Sequence, residues 1–123
     1  MWSGINRRKF PRVGYPCKIT VRRKDCQDSL LAQTENIGIG GICVLIPKDL
    51  GIFAPVETRL DLQDGYPVVE CDGTIVWIVP KKTAKKNGIY DTGIEFTNLQ
   101  RKDSVRINTI VERLVKESGD PTV

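Results

Sequence analysis

The chain has 123 residues, 40% of them hydrophobic and 28% charged, with 19 Lys and Arg, 15 Asp and Glu, and no His. That is the composition of one soluble domain, large enough to bury a core without staples, and it excludes a disordered or fibrous class. Without histidine the commonest general base and metal ligand is gone, which argues against an enzyme and against a mixed Cys/His metal site.

Charge is unevenly placed. Eight Lys and Arg fall in the first 24 positions with no acid among them, leaving 11 bases against 15 acids in the rest. The centre of this arm is Arg7-Arg8-Lys9-Phe10-Pro11-Arg12. Pro11 drives Phe10 to an extended backbone, so a helix across the arm is not expected. Extended, Arg8 and Arg12 stand roughly 13 Å apart at Cα, and their guanidinium forks can converge on a compact polyanion, matching phosphate oxygens or the O6/N7 edge of guanine. Charge alone fits a solvated basic tail equally well. Residues 1–13 are expected to be a flexible arm and 14–118 the folded domain.

From residue 15 to 96 the dominant pattern is period two, the signature of half-buried strands. Cys17, Ile19 and Val21 alternate with Lys18, Thr20 and Arg22. Ser29–Glu35 is the expected antiparallel partner, and Ile42–Ile46 a short buried strand ended by Pro47. Val56, Thr58, Leu60 and Leu62 alternate with charged residues before the Asp64-Gly65 turn. In Val68–Val79 the pattern puts Val69, Cys71, Ile75, Trp77 and Val79 on one face, with Trp77 packing the core. Pro80–Gly88, with Lys81, Lys82, Lys85 and Lys86, reads as a solubilising hairpin tip leading into Ile89–Phe96, whose Phe96 is also expected in the core. After Asn98 the spacing of Ile107, Ile110, Val111, Leu114 and Val115 is helical, predicting a helix from about Gln100 to Ser118 with Gly119 and Pro121 as stop signals. Six strands followed by one helix indicate a mainly β fold, an antiparallel barrel with the helix over an open end or side.

Four cysteines at 17, 26, 43 and 71 form no C-x-x-C pair; Cys17, Cys43 and Cys71 lie in strand-like runs and are expected to be buried thiols. No apolar run reaches the roughly 20 residues that span a bilayer, no signal-peptide pattern opens the chain, and the expected compartment is the cytoplasm. The segment Asn36-Ile37-Gly38-Ile39-Gly40-Gly41 joins two strands. Its three glycines permit positive φ or close approach of another group. It is neither a P-loop nor a dinucleotide fingerprint, since no G-K-[ST] and no helix follow. A tight bend or bulge at a barrel corner explains it as well.

Taken together and in this order, the two features resemble the PilZ domain, a bacterial receptor module for cyclic di-GMP. Its R-x-x-x-R is matched by Arg8 and Arg12, with Arg7 as an extra arginine, and the ends of its [D/N]-x-S-x-x-G by Asn36 and Gly41. Gly73-Thr74-Ile75-Val76-Trp77 resembles the family's G-x-V-x-W, and Gly93-Ile94-Glu95-Phe96 its G-I-x-F. The resemblance covers about residues 6–116. It implies a six-stranded PilZ-type barrel with a C-terminal helix, no catalysis, no metal and no cofactor, and cyclic di-GMP as ligand. It also implies that the ligand is held by Arg7, Arg8 and Arg12 together with Asn36, Gly38, Gly40 and Gly41. Capture would order the arm and signal to an unidentified protein effector. Gly38 stands where the family has Ser, removing one hydroxyl contact worth about 0.5–1.5 kcal/mol. A degenerate PilZ domain acting only through protein contacts is the alternative. A small barrel binding nucleic acid is the second alternative and the less favoured, because the interleaved basic and aromatic strand surface of such binders is poorly developed.

Overall fold

Alternation along the strands translates directly into a closed barrel. A computed structural model describes residues 12–81 and 88–118. In it, strands β1 (Val13–Gly14), β2 (Lys18–Arg23), β3 (Leu30–Ile37), β4 (Gly41–Ile46), β5 (Pro55–Leu60), β6 (Val69–Lys81) and β7 (Ile89–Phe96) precede one helix, α1 (Arg101–Ser118). All pairings are antiparallel, in the order β1-β3-β2-β5-β6-β7-β4, and a further β3–β4 pairing closes β2–β7 into a six-stranded barrel. The two-residue β1 is the one strand the pattern did not predict; Val13 and Gly14 pair with Ile37 and Asn36 at the end of β3.

Inward positions follow the two-residue period. Ile19, Val21, Val44, Val56, Leu60 and Ile94 are at most 1% exposed, and each such side chain contributes about 1.5–3 kcal/mol by leaving water. Cys17, Cys43 and Cys71 are buried as expected, Cys26 is exposed, and all four thiols are free. Burial raises the Cys17 and Cys71 thiol pKa values above the usual range.

Opposite ends of β5 mark the two ends of the barrel. The loop before it inserts Leu50 and Ala54 into the core and is tied to β2 by Arg23 Nη1 donating to the Leu50 carbonyl at 2.7 Å. The loop after it is gripped by the helix. Arg106 donates from Nε and Nη2 to the two carboxylate oxygens of Asp64 at 2.9 and 2.8 Å, and from Nη2 to the Pro67 carbonyl at 2.9 Å. Its Nη1 binds Asp103 one turn back at 3.0 Å, and its guanidinium lies over the Tyr66 ring at 5.5 Å. Ile107, Ile110 and Val111 then enter the core. The helix starts where Asp103 and Ser104 both donate to the Gln100 carbonyl, with Asp103 favourable in the first turn and Lys116 in the last. No helix among the described residues is long and apolar enough to cross a membrane. The stop signals at Gly119 and Pro121 lie outside the described residues.

Arg106 lowers the pKa of the Asp64 carboxyl below the usual carboxylate range, chiefly through their hydrogen bonds. A carboxyl depressed in the folded state adds stability that is present above its unfolded pKa and lost as pH falls through the folded one. Arg106→Met is expected to cost about 2 kcal/mol at neutral pH, since the pair is half-buried and bidentate. Urea melts through the acid range should also show a shallower acid-side decline in the variant than in the wild type.

Candidate ligand-binding site

The root of the basic arm is fixed to β3 by one buried threonine. Thr34, 2% exposed, donates its hydroxyl to the Tyr15 carbonyl at 2.6 Å and accepts from the Cys17 amide at 3.0 Å. Tyr15 in turn donates its backbone N–H to the Glu35 carbonyl at 3.3 Å. Gly14 thereby lies opposite Asn36, so Arg12 emerges beside the strand that carries the second sequence motif. Arg12 and Asn36, 24 positions apart in sequence, are brought to one region by the β1–β3 pairing.

Two β-bulges decide what faces the outside here. In β3, Thr34 pairs with Val44 but Asn36 pairs with Cys43, leaving Glu35 as the extra residue. Thr34 and Ile37 can then both point inward while Asn36 turns out. In β6, Ile75 pairs with Ile94 and Trp77 with Gly93, leaving Val76 as the extra residue. That shift corrects the reading of Trp77 and Val79 as core residues. Trp77 is half-buried on the outer face and Val79 is 52% exposed, because the extra residue reverses the phase beyond Ile75. Phe96 packs partly buried against the core as expected.

The result is an outward row, Asn36–Cys43–Gly93–Trp77, running across β3, β4, β7 and β6. Three strand spacings make it roughly 14 Å long. Gly93 lets the indole lie across the sheet: a Cβ there would sit 2.4 Å from the Trp77 ring. The Arg12 guanidinium stands over that ring, 5.6 Å from its centroid, a cation–π contact. At the other end Asn36 keeps its Oδ1 buried with no hydrogen-bond partner among the described residues. Such an orphan acceptor costs about 1–3 kcal/mol.

The Gly38–Gly41 turn closes with the Gly38 amide donating to the Gly41 carbonyl at 3.0 Å, and the Gly40 carbonyl accepts from Phe96 of β7 at 3.0 Å. Positive φ among the described residues occurs at Gly51, Gly65, Gly88, Phe53 and Gln63, not in this turn. The close approach is instead at Gly41, where a Cβ would lie 2.2 Å from the Ile94 carbonyl oxygen. Glycine is therefore required there by β7.

Four further side chains, Glu35, Cys43, Asp91 and Lys81, share this face, and none was assigned to a site from sequence. The Cys43 thiol donates to Asp91 Oδ1 at 2.6 Å, with Glu35 Oε1 at 3.3 Å. Burial first, then the two carboxylates, raise its pKa far above the usual range, so it stays a hydrogen-bond donor. The three donor atoms lie within 4.8 Å of one another, and the thiol and the two carboxylates form a hydrogen-bonded cluster. Lys81, placed by sequence in a solubilising tip, brings Nζ to 4.0 Å from Glu35 Oε2. An isolated strand glycine at 93 was the one available hint of the indole's position; nothing local signalled the bulge at Glu35. Arg7, Arg8, Trp2, Lys82, Lys85 and Lys86 lie outside the described residues.

The PilZ domain family model matches residues 6–114, most of the chain. The chain belongs to the PilZ family. PilZ domains are non-catalytic modules. Similar solved folds include the Bacillus subtilis inhibitor of motility MotI/DgrA, at a TM-score of 0.76 and 14% identity over 92% of this chain and 53% of that one. The PilZ domain of YcgR from Escherichia coli, with c-di-GMP, matches at a TM-score of 0.67 and 18% identity over 94% of this chain and 99% of that one. The MrkH–c-di-GMP complex of K. pneumonia matches at 0.71 and 21% over 94% and 55%. This PilZ chain thus spans about half the length of MotI/DgrA and MrkH but nearly all of the YcgR domain. At these identities the likeness is one of fold. No curated protein matches the sequence.

Proposed function

We propose that this PilZ domain is a non-enzymatic receptor for cyclic di-GMP, and that capture orders the arm ahead of β1 against the barrel and so signals to a protein partner. The observation that carries the reading is the pairing of β1 with β3. It sets Arg12, the second arginine of the R-x-x-x-R, and Asn36, first residue of the second motif, beside one outer face. A ligand with two phosphate charges and two flat bases suits that face. Arg12, with Arg7 and Arg8, offers planar forks to phosphates and guanine O6/N7. Asn36 Oδ1 offers a buried acceptor to a base N–H. Gly38, Gly40 and Gly41 keep the turn beside Asn36 low. Each charge-assisted bond contributes about 1.5–3 kcal/mol, so three arginines supply a gain on the order of the 8 kcal/mol of micromolar binding, part of which is offset by ordering the arm.

Gly38 in place of the family's Ser favours a second reading, a PilZ domain that works through protein contacts without nucleotide. Calorimetry with cyclic di-GMP, GTP and a short single-stranded oligonucleotide separates the two. Saturable heat is expected for cyclic di-GMP alone. Silence toward all three at high protein concentration would favour protein contacts, and an oligonucleotide signal with a steep salt slope would favour a nucleic-acid binder.

A further inference from the structure

The bulge in β3 places a carboxylate where the sequence pattern supplies none. Glu35 and Asn36 both reach the outer face, and Glu35 Oε1 lies 3.3 Å from the thiol of Cys43, the residue paired with Asn36. That thiol has one proton, and Asp91 takes it at 2.6 Å. The second oxygen, Oε2, has Lys81 Nζ at 4.0 Å, close enough to offset charge but too far for a hydrogen bond. Five other acids, Glu57, Asp25, Asp64, Asp72 and Asp103, are bonded to Arg or Lys more closely, at 2.6–3.0 Å. Glu35, at 33% side-chain exposure, has only a long thiol contact on Oε1 and Lys81 at 4.0 Å on Oε2, beside the Asn36 Oδ1 that has no partner among the described residues.

Guanine presents two neighbouring donors on its Watson–Crick edge, N1–H and the 2-amino group. A carboxylate presents two neighbouring acceptors, and the paired geometry is the strong one. Adenine shows a bare N1 lone pair and no 2-amino group, which a carboxylate repels. We infer that Glu35 reads the Watson–Crick edge of one guanine of the bound nucleotide and sets its preference for guanine. The inference rests on the cyclic di-GMP reading above. Lys81 offsets part of the Glu35 charge, and the charge of a dianionic ligand sits on its phosphates and not on its base edges.

The test is calorimetry on wild type and Glu35→Gln with cyclic di-GMP and with its inosine analogue, which keeps N1–H but lacks the 2-amino group. The wild type should prefer cyclic di-GMP by about tenfold, and Glu35→Gln should bind it about tenfold more weakly, the loss of one charge-assisted bond. In the variant the preference for guanine over inosine should shrink to about twofold, a coupling that a merely structural role would not produce. The substitution is isosteric, and an unchanged melting curve confirms that the fold is intact. Equal or tighter binding by Glu35→Gln would show that Glu35 acts only as a repelling charge and would overturn the inference. A guanine preference retained in the variant would overturn it as well. A wild type that ignores cyclic di-GMP would overturn the receptor reading itself, which separates the two failures.

Discussion

Arg12→Ala should abolish saturable cyclic di-GMP binding in calorimetry while leaving the barrel folded. Arg12 precedes β1, whose two residues are locked to Ile37 and Asn36, so the pairing that positions the arm's root does not need its side chain. What the substitution removes is the guanidinium over Trp77 at 5.6 Å. A cation–π contact at a half-exposed site contributes about 0.5–1 kcal/mol, a loss of a few degrees in Tm. Binding is expected to suffer far more, because a fork donating to a phosphate supplies charge-assisted bonds of about 1.5–3 kcal/mol each. Arg12→Lys should recover part of the affinity at low salt but not its full strength, since an ammonium keeps the charge and loses the planar fork. Arg8→Ala is expected to match Arg12→Ala in binding with no change in Tm. If both alanine variants bound as the wild type does, the arm would have no part in the site.

Gly41→Ala should be the most damaging single methyl in the second motif, and the damage should be to the fold. Its Cβ would meet the Ile94 carbonyl oxygen at 2.2 Å and the Ile94 carbonyl carbon and Glu95 Cα at 3.2 Å. All three are backbone atoms of the neighbouring strand, so no side chain can swing aside. The β4–β7 pairing, which runs from Gly41–Glu95 to Ile46–Tyr90, would have to open at that end. The expected cost is about 3 kcal/mol, the upper range of overpacking. Gly14→Ala is the control: its Cβ would meet the Glu35 carbonyl at 3.8 Å, ordinary contact, and stability should stay within about 0.5 kcal/mol. Urea melts of the two variants decide the matter. A neutral Gly41→Ala would mean that the glycine serves only the ligand.

Much of the barrel was legible because alternation is a local property. Ile19 and Val21 face the core wherever β2 pairs, and the helical spacing of Ile107, Ile110 and Val111 puts one stripe inward whatever lies beneath it. Trp77 shows where that logic stops. Counting by twos from Ile75 puts the indole in the core; the extra residue at Val76 turns it out, and Gly93 across the ladder provides the floor on which it lies. Glu35 was hidden for the same reason, as a charged residue in a run that reads equally well with or without a bulge. Cys43 was rightly expected to be buried, but its partners come from β3 and β7, and no spacing along β4 could name them.

By itself, then, the sequence determined a six-stranded barrel closed by a helix, the acid-free arm, and two motifs of the PilZ family. The tertiary structure alone decided that Arg12 and Asn36 lie along one face, that Trp77 and Glu35 stand on that face with them, and that Gly41 is held to glycine by the Ile94 carbonyl. The physical reason is that periodicity records which side of a strand a residue occupies relative to its own neighbours. A bulge or a close backbone contact depends on how residues are counted off against a partner strand, and that count exists only once the strands have paired.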